Sequence, residues 1–153
     1  MKRVFQRELP AEVRSVAVSK LFNKVFSTTD EQFVQDVYLN PEKLKDLVGA
    51  GFDLGGHGDQ HVFFGHSPDH IQAHEISRSG QLLAAYAPHQ QIRTLSYPYG
   101  SFNAVSQQLA SAEGFDYAFK DSGGVATSPM RRYEVPRIDT IHVSQLLERL
   151  VNI

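Results

Sequence analysis

Apolar residues recur at helical spacing early in the chain, at Val13, Val16, Ala17, Leu21 and Val25 behind Pro10, and predict an amphipathic helix whose role is packing. A Ser-Thr-Thr-Asp run over residues 27–30 marks a turn before a second short helix. Asn40-Pro41-Glu42 reads as a cap followed by proline at the first helical position, and the helix through Leu44, Leu47 and Val48 stops at Gly51. The pattern then changes to short extended runs. Phe52-Asp53-Leu54-Gly55-Gly56 predicts a strand that delivers His57 at its carboxyl end. Ser67-Pro68-Asp69 opens a further helix, with Ala73, Ile76, Gly80 and Leu83 as its core stripe, running to about Ala87-Pro88. Ile92 to Tyr97 reads as a strand ending in Pro98-Tyr99-Gly100, and Ser101 is placed to cap a helix carrying Val105, Leu109 and Ala112 that ends at Gly114. Phe115 to Phe119 alternates as a strand does, a loop from Ser122 to Pro129 follows, and Tyr133 to Ile138 predicts another short strand before a terminal helix from about Ser144. Helices alternating with short strands predict an α/β fold.

Composition narrows this picture. The 153 residues, 41% hydrophobic and 21% charged, suit one globular domain over residues 1–153. A formal net charge of -2 without clustered Lys and Arg argues against a nucleic-acid surface, and the doublet Arg131-Arg132 reads as a solvated loop. No stretch approaches the roughly 20 apolar residues of a membrane span, and the charged start has no apolar run behind it. A cytoplasmic location is therefore the default expectation. With no Cys, any metal must rest on imidazole and carboxylate.

The candidate chemistry centres on Gly-Gly-His57-Gly-Asp-Gln-His61. Two imidazoles four residues apart fall on one side of a helical turn and can hold one divalent metal, with zinc the expected ion. Between Asp46 and Ser77 there is no Lys or Arg, while Asp46, Asp53, Asp59, Asp69, Glu75 and five of the seven histidines occur, so the stretch should attract a cation. His66, His70 and His74 form their own series on a helix, which reads as solvent-facing, and His89 reads as a solvated loop residue.

Three pieces taken in order resemble the polysaccharide deacetylase family, carbohydrate esterase family four, whose domain is a distorted β/α barrel. They are residues 51–61 around the histidine pair, Arg93-Thr-Leu-Ser-Tyr97-Pro98-Tyr99-Gly100, and Val135-Pro136-Arg137-Ile138. The helix containing Glu75-Ile76 and the run Glu113 to Phe119 also resemble that family, over roughly residues 41–140. The resemblance implies a partial distorted β/α barrel and a metal-dependent hydrolase that removes acetyl groups from N-acetylated sugars of a polysaccharide or glycolipid. It implies His57 and His61 as metal ligands, and Arg93 as the residue that orients a base carboxylate through a charge-assisted pair. Tyr99 falls where the family uses a backbone N–H against the oxyanion, with Tyr97 and Pro98 beside the substrate. Outside that context Arg93 reads as a surface strand residue, and Tyr97 and Tyr99 as core aromatics.

Two departures from the family pattern bear on activity. The aspartate pair expected on a strand well upstream of the histidines, one a ligand and one the general base, has no counterpart before His57. The chain then reads as a domain lacking its opening strands, with an unpaired sheet edge that invites self-association. The family's late Leu-x-Leu-x-His strand is only loosely repeated by Ile138-Asp139-Thr140-Ile141-His142, which makes His142 the candidate general acid and Asp139 a candidate carboxylate beside it. The alternatives are a catalytically inactive remnant or a carbohydrate- or metal-binding module of the same fold, and an α/β domain whose histidines are structural. A serine hydrolase is disfavoured because no Gly-x-Ser-x-Gly elbow occurs.

Overall fold

The computed structural model describes residues 4, 9–26, 30–122, 124–143 and 147. The chain divides into two compact units, Met1–Lys43 and Leu44–Ile153. The terminal helix expected from about Ser144 lies, Leu147 apart, outside the described residues.

The first unit contains α1 (Ala11–Val25) and α2 (Asp30–Val37). Phe22 stacks on Phe26 with ring centroids 4.7 Å apart, and Phe33 meets Phe22 edge-on at 5.1 Å, so aromatic contact joins the two helices. The predicted packing stripe of α1 is not buried: Val13, Val16, Leu21 and Val25 are all exposed, because the aromatic residues near its end carry the contact instead. The third helix, α3 (Pro41–Gly49), starts as predicted, with Asn40 Oδ1 accepting the Lys43 N–H at 2.8 Å. It ends as predicted at Gly51, whose φ of 89° lets the Phe52 N–H reach back to Leu47 O and the Gly51 N–H to Val48 O.

In the second unit β1 (Thr94–Ser96) and β2 (Tyr117–Phe119) pair in parallel, with Leu95 opposite Ala118. Isolated parallel bridges extend this pair on both flanks, Gly56 to Leu95 and Phe119 to Val135. The predicted strands over residues 52–56 and 133–138 thus shrink to single bridges. At Gly56 the backbone lies so close to its neighbours that a Cβ would meet Ser79 Oγ at 2.9 Å and Leu95 Cδ1 at 3.2 Å. Beyond Val135, Pro136 has no N–H to continue a ladder.

Two helices accompany these strands, α4 (Asp69–Tyr86) and α5 (Ala104–Ala112). The core consists of Phe64, Ile76, Leu95, Tyr97, Ala110, Phe115 and Ala118. The face that α4 buries keeps Ile76 of the predicted stripe but carries Gln72, Glu75 and Ser79 in place of Ala73, Gly80 and Leu83. Those three side chains are polar, and each has a hydrogen-bond partner that offsets the cost of removing it from water. Gln72 ties the helices together: its Oε1 accepts from Ser106 Oγ at 2.6 Å, and its Nε2 donates to Ser67 O at 2.9 Å. The cap of α5 is Asn103 rather than the predicted Ser101. Its Oδ1 accepts the Ser106 N–H at 3.0 Å while Ser106 Oγ accepts the Asn103 N–H at 3.1 Å, a reciprocal box that Ser101 stands too early to make. Parallel strands, with α4 after the Gly56 bridge and α5 after β1, make this unit a partial β/α barrel. No helix among the described residues is long and apolar enough to cross a membrane.

Candidate metal centre

The centre is built at the carboxyl end of β1, where α/β sheets commonly place their binding groups. Two backbone bonds fix the approach, Gly56 N–H to Thr94 O and Ser96 N–H to Gly56 O, each 2.8 Å. His57 follows directly, and its Nδ1 lies 2.7 Å from Ser96 O. A carbonyl only accepts, so the ring must carry its proton on Nδ1, which leaves Nε2 unprotonated and able to accept. That is the tautomer a metal-ligating histidine needs. His61 Nε2 stands 3.0 Å from His57 Nε2, and the two rings meet edge-on with centroids 4.8 Å apart.

The predicted helical turn between the histidines does not form. Residues 57–63 are irregular, with Gly58 at φ 80° and His61 at φ 56°. The reason lies below the loop, where the buried Glu75 of α4 accepts the Asp59 N–H at 2.9 Å and the Gln60 N–H at 2.8 Å, both on Oε2. These bonds draw the backbone down and turn His61 back toward His57. Gly58 leaves room for this, since a Cβ there would sit 2.9 Å from Glu75 Oε2 and 3.3 Å from Phe64 Cζ. Partial burial and, to a lesser degree, the neighbouring His57 hold the His61 imidazole below its ordinary value of 6.5, although its own backbone hydrogen bond and Glu75 pull the other way. Neutral rings are the form a metal binds.

Tyr99 completes the rim. It occupies the middle of a tight 3-10 turn, Pro98–Gly100, with φ 56°, and its ring lies edge-on to His61 at 4.6 Å and flat against Phe63 at 3.9 Å. Among the described residues His61 and Tyr99 are the non-glycine residues with positive φ, and they touch each other. Backbone strain of this kind clusters at functional sites.

Several expected site residues lie elsewhere. Arg93 precedes β1 at the opposite end of the strand, where its exposed guanidinium pairs with Asp116, so it orients no carboxylate in the histidine site. Tyr97 is fully buried, stacked on Phe102 at 4.8 Å, with its hydroxyl donating to Tyr133 O at 3.1 Å. It is a core residue, and burial raises its phenol well above the ordinary value of 10.0. Pro98 is buried as well, and acts by setting the turn that presents Tyr99. Neither is available to a substrate. Asp139 uses its carboxylate on its own turn, accepting the Ile141 N–H at 3.1 Å, and no hydrogen bond joins Asp139 or the exposed His142 to His57 or His61.

Other residues at this end of the sheet were not singled out as site residues from the sequence. Arg137 donates from Nη1 to Ser96 Oγ at 3.2 Å and from Nε to Lys120 O at 3.3 Å, beside the residue whose carbonyl holds His57. The carboxylate of Asp121 lies against Gly100, next to Tyr99. In the sequence Phe63 is only a neighbour of the motif, and Glu75 is one of several acids near it, on the helix that resembles the family.

The donor set fits two corners of a metal site. A tetrahedral zinc with imidazole bonds of about 2.0–2.1 Å sets two ligand nitrogens about 3.3 Å apart, and the two Nε2 atoms stand slightly closer than that, at 3.0 Å. Among the described residues no third His, Cys, Asp or Glu joins them.

The family model for polysaccharide deacetylases matches residues 22–118. Among solved structures, the chain is similar to the Streptococcus pyogenes deacetylase PplD in complex with acetate, at 19% identity and TM-score 0.64, over 72% of this chain and 50% of that one. It is similar to IcaB from Ammonifex degensii at 20% identity and TM-score 0.58, over 72% and 52% of the two chains. A third similar structure is a CE4 family pseudoenzyme from Bacillus anthracis, at 15% identity and TM-score 0.51, over 79% and 47%. The chain spans about half the length of these structures.

Proposed function

Because this chain belongs to the polysaccharide deacetylase family, we propose that His57 and His61 hold a divalent cation, zinc by preference, in a carbohydrate N-deacetylase site of which this chain supplies one part. The observation that carries the reading is the pair of Nε2 atoms 3.0 Å apart, with the His57 tautomer set by Ser96 O. A cation bound there would polarise an amide carbonyl and lower the pKa of water. The residues of the chain then have separate tasks. His57 and His61 present lone pairs from a loop anchored on the sheet. The Tyr99 N–H, which has no acceptor among the described residues, is free to meet an oxyanion at the rim. Phe63 and Tyr99 form an aromatic wall beside the histidines against which a pyranose face can rest. In the overall reaction water adds to the acetamido carbonyl carbon, the C–N bond breaks, and acetate and a protonated amine leave. The base for that water and the remaining metal ligand are carboxylates in the family, and among the described residues no carboxylate joins the two imidazoles in a group that could hold a metal.

That last observation favours a second reading for the isolated chain, a non-catalytic remnant that retains metal or sugar binding. Metal content of the purified chain and of His57→Ala, with acetate release from acetylated amino-sugar oligomers followed in the same samples, separates the two. Metal lost with His57 together with acetate release supports the deacetylase. Metal lost with His57 and no acetate supports the remnant, and no metal in either sample removes the deacetylase and leaves the remnant sugar binding alone.

A further inference from the structure

We infer that Glu75 is a positioning residue for the metal pair: its buried carboxyl group, held on α4, sets the backbone of residues 58–60 so that the two imidazoles converge. The inference rests on the reading of His57 and His61 as metal ligands and concerns a residue that touches neither of them. Three observations carry it. Glu75 is 2% exposed, in the middle of an 18-residue helix, so its position is set by the core rather than by solvent. One of its oxygens accepts two consecutive backbone N–H groups, from Asp59 and Gln60, within the four-residue span that separates the ligands. Gly58 lies so close to that same oxygen that any side chain there would collide with it, and its φ of 80° turns the chain at that point.

The physical consequence is pre-organisation. A loop of irregular backbone between two ligands has many conformations, and ordering each residue costs conformational entropy. Two hydrogen bonds to one buried acceptor restrict the loop before any cation arrives, so less of that cost falls on binding. Groups behind a ligand that fix its orientation commonly change metal affinity by about 10–100-fold when removed. Glu75 acts one step further back, through the backbone, and the same range applies.

Titration with Co²⁺ tests this, reading both the affinity and the visible absorption spectrum, which reports the geometry around the ion. Glu75→Leu, folded by circular dichroism, is expected to weaken Co²⁺ binding by at least about tenfold and alter the spectrum, because the acceptor is gone. Glu75→Gln keeps an acceptor oxygen and is expected to restore both. Gln72→Leu removes a different buried polar group from the same helix and is expected to leave both unchanged. If Glu75→Leu does not fold, Gly58→Ala decides, since its methyl displaces the carboxyl group without removing it, and weakened binding is expected there too. Wild-type affinity and spectrum in folded Glu75→Leu, or in Gly58→Ala where that variant decides, overturn the inference. An equal loss in Gln72→Leu also overturns it, by reducing Glu75 to general helix support. Loss in His57→Ala with none in Glu75→Leu defeats this inference alone, whereas Co²⁺ uptake that survives His57→Ala defeats the metal-pair reading and this inference with it.

Discussion

His61 is where conformation and charge meet most sharply. Its φ is 56°, its ring faces His57 and Tyr99, and its pKa is lowered from 6.5, first by burial and then by the charge of His57. The sign follows directly. The folded state binds a proton at His61 less readily than the unfolded state, so the stability gained from the neutral ring is fully present above pH 6.5 and is lost as pH falls through the lowered value. Proton NMR of the imidazole is expected to give His61 a midpoint below 6.5, and His61→Gln is expected to flatten the stability loss on mild acidification. A midpoint at or above 6.5 would contradict the packing described. At Tyr97 the expectation concerns the core: Tyr97→Phe removes the hydrogen bond to Tyr133 O and should cost about 1 kcal/mol in urea unfolding, with metal uptake unchanged. Arg93→Ala, which breaks an exposed ion pair with Asp116, should cost no more than about 1 kcal/mol and leave metal uptake intact. A large loss of metal binding in that variant would return Arg93 to the site.

At the scale of elements, local signals were legible and distances were not. Asn40, Pro41 and Gly51 delimit α3 as the capping rules require, and Gly114 closes the end of α5 with φ 86°. The histidine pair was legible too, since its spacing and its neighbours without positive charge are properties of sequence alone. What the local pattern could not reveal is which face of α4 is buried. An apolar stripe points to Ala73 and Leu83, whereas the helix buries Gln72, Glu75 and Ser79 because each finds a partner, among them a backbone far away in sequence. The same blindness put the cap of α5 two residues early, where Ser101 Oγ instead accepts the Gly65 N–H. Asn103→Ala is expected to destabilise the protein by about 1 kcal/mol, and Ser101→Ala by clearly less, in thermal or urea unfolding. Equal losses would show that the box at Asn103 does not set the helix start. Arg93 misled for a related reason: it flanks the strand that leads to the site, but a strand has two ends, and Arg93 is at the other one.

Across the whole molecule, the parallel pair β1–β2 and its flanking bridges gather groups from distant parts of the sequence, His57, Tyr99, Asp121 and Arg137, toward one end of a partial barrel. The family was legible in three short motifs, the histidine pair in the first of them, and the α/β class in the alternation of helices with short strands. The remainder of the site was not, because a catalytic carboxylate is recognised by proximity and no carboxylate among the described residues joins the imidazoles in a metal-holding group. The chain covers about half of its solved relatives, and a two-imidazole site of this kind is expected to bind metal without closing around it. The most direct test is a crystal structure grown with Zn²⁺ and recorded at the zinc absorption edge. The account predicts one anomalous peak about 2.0–2.1 Å from both His57 Nε2 and His61 Nε2, with His57 Nδ1 still on Ser96 O. A peak bound to only one of the two rings, or no peak between them at saturating zinc, would contradict it.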